Sequence, residues 1–166
     1  MKLTYKRASP AEIETAFMMF GKAAENLAEK KVEQWQYWLN PPIEKITWVQ
    51  DGFKNNEFYF IYTDDSTLVG MYRLMHEDLL YWGKQEIKAR YIHSLVVLKE
   101  FSGKNIGGTI IKKIEQEMRI EHIPILRLDC DASNDRLCQY YIDLGFKKVG
   151  EKQMPLSLNN LYEKTL

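Results

Sequence analysis

The chain has 166 residues, of which 45% are hydrophobic and 28% are charged, and these are ordinary values for a globular protein. This length favours a single domain, because two domains would each lie near the lower size limit for a stable core. The 23 Lys and Arg residues balance 23 Asp and Glu residues, so that the formal net charge is zero. A broad basic face for duplex nucleic acid or for an anionic membrane surface is therefore not expected.

The chain starts with MKLTYKRASPAE, which has no apolar run after its basic residues. Its longest apolar stretches, FYFIY and SLVVL, are far shorter than the roughly 20 residues that a membrane-spanning helix needs. We therefore expect no export signal, no membrane span and a cytoplasmic location. Cys130 and Cys138 have no histidine cluster beside them, which argues against a disulfide framework and a zinc site. We interpret both as structural thiols.

The first third of the chain carries a strong signal for the start of a helix. Ser9 is suited to the N-cap, Pro10 to the first helical position and Glu12 to the partner position of a capping box. Apolar residues then recur at helical spacing. The pattern predicts a strand over Leu3–Ala8, an amphipathic helix to about Lys30, and weaker helices over Gln34–Leu39 and Glu44–Asn55.

The rest of the chain alternates between predicted strands and helices. Arg90–Leu98 is apolar at nearly every position, which is typical of a central strand that is covered on both faces. Strand–helix–strand order implies parallel pairing somewhere in a sheet otherwise built from hairpins, so we predict a mixed α/β fold. The other predicted elements are a hairpin of Phe58–Tyr62 and Thr67–Met75, a helix from Gly107, a strand over Ile125–Cys130, a helix over Asn134–Leu144 ended by Gly145, and closing strands Phe146–Gly150 and Leu161–Leu166.

The segment from Val96 to Ile110 combines the end of a buried strand, a glycine-containing turn and the start of a helix. Amide groups at such a helix start favour a phosphate, and Lys104 adds a positive charge. Neither the dinucleotide fingerprint nor the P-loop motif is present, which leaves a pyrophosphate on a carrier molecule. A plainer interpretation is that Gly103 only turns the chain and that Gly107 and Gly108 only open the helix.

Two motifs in this half of the chain resemble the central motifs of the GNAT superfamily of acetyl-CoA-dependent N-acyltransferases. The first is Leu95-Val96-Val97 followed after five residues by Gly103-Lys104-Asn105-Ile106-Gly107, and the second is Asn134, Tyr141 and Gly145-Phe146 at fixed spacing. The resemblance covers about Tyr91 to Gly150. It implies an acyl-CoA-binding core over residues 91–150 and an acceptor side over residues 1–90.

The fold that this resemblance implies is a single GNAT-like domain over residues 1–166. Its sheet is expected to be mixed and mostly antiparallel, with about six to seven strands flanked by helices and splayed at the central parallel pair. The residues implied to bind acetyl-CoA are Leu95, Val96, Val97, Ser102, Gly103, Lys104, Asn105, Ile106, Gly107, Gly108, Asn134 and Tyr141.

Two positions depart from the family's pyrophosphate loop. Ser102 replaces a long Gln or Arg, and Asn105 stands where glycine is usual. Asparagine enters the left-handed backbone region more readily than other residues that have a side chain, so Asn105 can preserve the turn.

Tyr141 matches the tyrosine that, in many family members, donates a proton to the departing CoA thiolate. Its neighbour Tyr140 is the alternative, and a core-facing aromatic role is another. His93, inside the predicted central strand, is our candidate for the base that accepts the proton of the acceptor ammonium. The alternative is a core histidine hydrogen-bonded to Asp129 or Tyr91.

Acidic residues near the predicted central strand offer further candidates. Asp129 could orient His93 or bind a cationic substrate. Glu77, Asp78 and Glu86 could form an acidic rim for an amine, although a solvated loop is the simpler interpretation.

The resemblance implies an N-acetyltransferase that moves an acetyl group from acetyl-CoA to a primary amine by direct attack, without a metal. The acceptor would be a small molecule or a peptide, and a homodimer is common in such families. The alternative is a catalytically weak module that binds or senses CoA. Binding of single-stranded nucleic acid is a weaker hypothesis, because no basic groove accompanies the aromatic residues.

Overall fold

We describe the fold from a computed structural model, which describes residues 2–166. Seven strands and four α-helices are present in this range. No helix within it combines the length and apolarity that crossing a bilayer requires. The elements are β1 (Leu3–Arg7), α1 (Ile13–Glu29), α2 (Ile43–Lys54), β2 (Phe58–Thr63), β3 (Leu68–Met75), β4 (Ala89–Val97), α3 (Ile106–Ile120), β5 (Ile125–Asp131), α4 (Asp135–Asp143), β6 (Lys147–Gln153) and β7 (Leu158–Thr165).

The chain divides into two compact units, and β4 and α3 each contribute residues to both. The first unit contains the chain up to Leu74 together with Ser94–Gly107. The second contains Met75–His93 and Gly108–Leu166. The expectation of one domain over residues 1–166 stays a prediction.

The first unit is built on an antiparallel hairpin with helices packed against it. Within β1, Leu3 lies opposite Thr63 of β2, and Phe58 of β2 lies opposite Arg73 of β3. The apolar face of α1 packs onto this sheet and onto the end of β4. Its buried core consists of Ala8, Ala16, Met19, Phe20, Ala24, Trp38, Val49, Phe53, Phe58, Phe60, Met71, Val96 and Leu98.

The start of the first helical segment follows the capping pattern in the sequence. The Glu12 carboxylate accepts hydrogen bonds from the Ser9 amide at 2.7 Å and from the Ser9 hydroxyl at 2.9 Å. One turn of 3-10 helix, Pro10–Glu12, precedes α1. The predicted helix over Gln34–Leu39 is a single 3-10 turn at Gln36–Leu39, because the consecutive prolines after Asn40 prevent its extension.

The second unit contains the only parallel ladder among the strand pairings described for the chain. In it, Ala89 to Ile92 of β4 pair with Ile125 to Leu128 of β5. Strand β7 then lies antiparallel to both β5 and β6. Buried apolar residues of α3, β5, α4, β7 and the connection before β6 form its interior, among them Ile110, Ile111, Ile114, Leu126, Leu128, Tyr141, Phe146 and Tyr162.

The hydrogen-bonded strand order is β1-β2-β3-β4-β5-β7-β6, which confirms the predicted mixed α/β fold and its central β4. The closing strands are longer than the sequence pattern indicated. Strand β7 begins at Leu158, because the polar Asn159 and Asn160 pair with Asp131 and Cys130 of β5. Both asparagines are buried, and their side-chain amides donate to Asp129 and to the Cys138 sulfur, respectively.

Candidate active site

The loop between β4 and α3 turns sharply at two residues with left-handed backbone conformations. Gly103 has a φ of 79° and Asn105 a φ of 51°. Asn105 thus adopts the conformation that its replacement of glycine requires. Residues 102–105 are exposed to solvent, and α3 begins directly after them at Ile106. The first amide groups of a helix have no partners within that helix, and they lie at the positive end of its dipole.

Two residues of this loop, Lys104 and Gly103, determine its charge and the space beside it. Lys104 is exposed, and its Nζ lies 5.3 Å from the centre of the Phe101 ring. A Cβ built on Gly103 would have no heavy atom within 4 Å. The loop therefore presents one positive charge beside open space, where an anionic group has room to approach.

The carboxyl-terminal half of β4 is irregular. Ser94 has a φ of 55°, which is unusual for a residue within a strand. The parallel ladder with β5 reaches only Ile92, although β4 continues to Val97. The sequence resemblance predicted a sheet that is splayed at the central parallel pair, and the early end of this ladder agrees with it.

On its other edge, β4 approaches β3 closely. The Leu98 amide donates a hydrogen bond to the Val69 carbonyl at 2.9 Å. A Cβ on Gly70 would lie 2.5 Å from the carbonyl oxygen of Val96. Only glycine fits at this position, and its lack of a side chain lets β3 pack directly against the main chain of β4 near Val96.

His93 lies between two carboxylates in the second unit. Its Nε2 is 2.6 Å from Oδ2 of Asp78, and its Nδ1 is 3.4 Å from Oδ1 of Asp129. The side chains are 8%, 2% and 6% exposed, respectively, so solvent screens these interactions weakly. The ring of Tyr81 covers the imidazole, with 4.8 Å between ring centroids.

The same three residues are close enough together to hold a cation. An imidazole offers a metal only one of its nitrogens, and here the two carboxylates face different nitrogens. This arrangement orients a histidine better than it chelates a metal.

Two hydrogen bonds in series orient the Asp129 carboxylate. The Asn159 amide donates to Oδ2 of Asp129 at 2.6 Å, and the Ser157 hydroxyl donates to Oδ1 of Asn159 at 2.5 Å. Tyr91, the other partner considered for His93, instead accepts a hydrogen bond from Arg127 at 2.9 Å. His93 therefore belongs to a polar chain that ends in the turn between β6 and β7.

The structure corrects the interpretation of Asp78 as part of a solvated loop. Asp78 is 1% exposed, whereas Glu77 and Glu86 are exposed. Its second carboxylate oxygen accepts from the Tyr81 amide at 3.1 Å, which closes a turn over the residue. The signal in the sequence was an aspartate placed directly before the apolar run Leu79–Trp82, a pattern typical of a side chain that caps a turn.

Helix α4 positions Asn134 and Tyr141. The Asn134 side chain caps the helix by accepting from the Leu137 amide at 3.1 Å. Tyr141 is 6% exposed and packs against Phe146 and Tyr162, with ring centroids 6.0 Å away in each case. Burial raises the pKa of the Tyr141 hydroxyl above its usual value, so Tyr141 keeps its proton at neutral pH.

Tyr140, the alternative to Tyr141, has a different environment. It is half-buried, and its hydroxyl accepts a hydrogen bond from the Gly108 amide in the first turn of α3. Its pKa is raised, mainly by burial. Tyr140 is therefore connected to the start of a helix, whereas Tyr141 lies in the apolar interior.

The predicted site residues are divided between the two units. The first unit carries Leu95, Val96, Val97 and the loop Ser102–Gly107, which are neighbours along the chain. The second carries Gly108, Asn134, Tyr141 and His93, and it adds Asp78 to the histidine's surroundings.

Comparison with known proteins decides the family. The family model described as the acetyltransferase (GNAT) family matches residues 23–146, which include both motifs. The chain belongs to this family. It is therefore an acyltransferase.

The GNAT chain also resembles individual proteins. It is 27% identical over 152 residues to the uncharacterized N-acetyltransferase YesJ of Bacillus subtilis (strain 168), covering 86% of this chain and 82% of that protein. A GNAT-family acetyltransferase structure from Listeria monocytogenes 4b F2365 matches with a TM-score of 0.79 at 24% identity, covering 99% of this chain and 95% of that chain. PaiA N-acetyltransferase from Thermoplasma acidophilum, solved in complex with coenzyme A, matches with a TM-score of 0.67 at 20% identity over 100% of both chains.

Proposed function

We propose that this protein transfers an acetyl group from acetyl-CoA to a primary amine of a small-molecule or peptide acceptor by direct attack. The observation that carries the proposal is the loop before α3. Gly103 and Asn105 adopt left-handed conformations there, next to exposed Lys104 and directly before the helix. This combination of amides, helix dipole and positive charge suits a pyrophosphate.

The residues proposed to hold CoA are those of the loop, Ser102–Gly108, together with the main chain of Leu95–Val97 and the side chain of Asn134. The open space at Gly103 and the exposed charge of Lys104 support the anionic end of this proposal. The Ser102 amide donates to the Lys99 carbonyl and the Gly108 amide to the Tyr140 hydroxyl, so these two amides are not among the proposed donors. Acetyl-CoA would supply the acetyl group in activated form, as a thioester. Amide donors that are already in place favour the negative charge that develops on the acetyl oxygen during transfer.

His93 is proposed as the base that accepts the proton lost by the acceptor amine. In a neutral imidazole one nitrogen carries the proton and the other accepts. The shorter contact, to Asp78, favours the proton on Nε2, so that Nδ1, which faces Asp129 at 3.4 Å, would take up the proton, and Asp129 would stabilise the resulting imidazolium. The alternative role, a core histidine that stabilises the fold, predicts that replacing His93 changes stability more than turnover.

Tyr141 is proposed as the acid that protonates the leaving thiolate. The hydroxyl carries its proton at working pH, as an acid must, and burial raises its pKa, which makes it a weaker proton donor than an exposed tyrosine. Direct transfer without a covalent intermediate is proposed because neither motif requires a cysteine, and Cys130 is a buried thiol whose pKa is raised by burial.

The test is a thiol-release assay with acetyl-CoA across a panel of amines, combined with thermal unfolding. Acetyl-CoA at about 100 times its Kd should stabilise the protein by about 2.7 kcal/mol, or roughly 5–10 °C. Amine-dependent thiol release would support the enzyme. Tight CoA binding without release for any amine would favour the CoA-sensing alternative, and no thermal shift with acetyl-CoA or CoA would reject both.

A further inference from the structure

Cys130 and Cys138 lie side by side in the second unit, although eight positions separate them in the sequence. The sulfur atoms are 3.6 Å apart, and both cysteines are free. Cys130 lies on β5 and Cys138 on α4, so this contact joins a strand to the helix that follows it. The sequence offered no sign of the pair, because neither its spacing nor its neighbours form a known motif.

The sulfur atoms need only a small movement to form a bond. A disulfide requires an S–S distance of about 2.05 Å, so the atoms must approach by about 1.5 Å. Cys138 is held by contacts from its sulfur to the Asp131 carbonyl at 3.7 Å and from the Asn160 side-chain amide to its sulfur at 3.4 Å, and by a hydrogen bond with the Tyr162 side chain. Rotation of its side chain costs little compared with breaking strong hydrogen bonds.

The two thiols differ in their access to solvent. Cys130 is 3% exposed, and burial raises its pKa, with Cys138 and the carboxylates of Asp129 and Asp131 acting in the same direction. Cys138 is partly exposed. An oxidant from solution therefore meets Cys138 first, and Cys130 is placed to resolve the product.

We propose that Cys130 and Cys138 form a redox site whose oxidant is a low-molecular-weight disulfide such as glutathione disulfide. The Cys138 thiolate attacks one sulfur of the oxidant, breaking its S–S bond, forming a mixed disulfide and releasing one thiol. The Cys130 thiolate then attacks the Cys138 sulfur and releases the second thiol. The protein loses two protons and two electrons, and the oxidant is reduced to two thiols.

The resulting cross-link ties α4 to β5. Tyr141 lies one turn after Cys138 on the same helix, so a shift of that turn would move its hydroxyl. This regulatory consequence rests on the proposed function, whereas the redox chemistry does not. In a reducing cytoplasm the bond would form only when the thiol pool becomes oxidised.

The redox chemistry can be tested without measuring activity. The reduced full-length protein is incubated with glutathione disulfide and analysed by intact mass and by thiol titration. The wild type should lose two hydrogens and both titratable thiols, and dithiothreitol should restore them. Cys130→Ala should stop at a single glutathione adduct on Cys138, and Cys138→Ser should remain unmodified. Retention of both thiols, or a stable glutathione adduct on the wild type, would overturn the proposal.

Acetyl transfer provides the second readout. Turnover of the oxidised wild type should fall roughly 10- to 100-fold, since a displacement of about 1 Å can cost this much. Dithiothreitol should restore it, and Cys138→Ser should be insensitive to the oxidant. Full oxidation without a change in turnover would overturn the regulatory role. Lack of transfer by the reduced protein would instead count against the proposed function, and the mass and thiol results would still decide the redox site.

Discussion

The Asp78 carboxylate lies 2.6 Å from Nε2 of His93, and both side chains are almost completely buried. A loop residue is thereby coupled to the middle of β4. Removing one partner of a buried polar pair leaves the other without compensation for its lost hydration, and the cost is large compared with that of an exposed ion pair.

Asp78→Ala should therefore lower the free energy of unfolding by about 3 kcal/mol or more. The matched control is Glu29→Ala, which removes an exposed carboxylate paired with Lys99 and should cost less than about 1 kcal/mol. Urea unfolding of both variants measures the difference. Equal losses would mean that the Asp78–His93 contact contributes no more than a surface ion pair.

Asn105 permits a test of the loop conformation. Asn105→Gly should retain stability, because glycine adopts a positive φ without strain, whereas Asn105→Ala should cost about 1 kcal/mol. If the loop holds the pyrophosphate, CoA affinity should follow the same order. Chemical unfolding and calorimetric titration with CoA check the two effects separately. Tighter CoA binding by the alanine variant than by the glycine variant would speak against the loop's role.

Tyr141→Phe should retain CoA binding and lower turnover at least about tenfold, since it removes the proposed proton donor. Tyr140→Phe loses the bond from Gly108 and should change turnover much less. Steady-state kinetics with a thermal unfolding control separates the two tyrosines. A larger loss of turnover in Tyr140→Phe than in Tyr141→Phe would indicate that Tyr140 is the acid.

Stability should decrease at alkaline pH. Burial raises the pKa of Tyr141 and of Cys130, whose unfolded values are about 10 and about 8.5. Above these values the unfolded chain loses protons that the folded protein retains, so the unfolded state binds fewer protons and unfolding becomes easier as pH rises. Urea midpoints between about pH 8 and pH 11 should fall. Tyr141→Phe should flatten this decline, and a curve parallel to that of the wild type would refute the tyrosine's contribution.

Gly70 tests the close approach of β3 to β4. Gly70→Ala would place a methyl group 2.5 Å from the Val96 carbonyl oxygen and should cost about 1–3 kcal/mol through overpacking. Gly21 in α1 has no heavy atom within 4 Å of its Cβ position, so Gly21→Ala should instead stabilise by about 0.5–1 kcal/mol. Thermal unfolding distinguishes the two variants, because their changes in stability should have opposite signs. If Gly70→Ala leaves the stability unchanged, β3 must move away from the Val96 carbonyl at little cost in free energy.

Local sequence signals predicted most of the fold because their causes are local. The capping residues Ser9 and Glu12 mark a helix start through contacts three residues apart, and the mostly apolar sequence of β4 reflects its burial on both faces. The left-handed conformation of Asn105 also follows from the residue type and its motif. The family match covers both motifs and confirms the resemblance.

The missing features depend on contacts between distant parts of the chain. Asp78 and His93 are 15 residues apart, and Asn159 lies 30 residues from Asp129. No short-range pattern reports such pairings, and the buried Asp78 contacts His93, whose ring packs against Tyr81. The same holds for the extension of β7, whose buried asparagines look like loop residues until their partners on β5 are known.

The Asn159 amide accepts from Ser157 with one end and donates to Asp129 with the other, so only one of its two flipped orientations satisfies both neighbours. The Asn159 amide therefore orients the Asp129 carboxylate but does not relay a proton. A hydroxyl group in the turn between β6 and β7 is thus linked through Asn159 and Asp129 to the imidazole of His93. A substitution in that turn would act on the proposed base without changing any other residue of the proposed site.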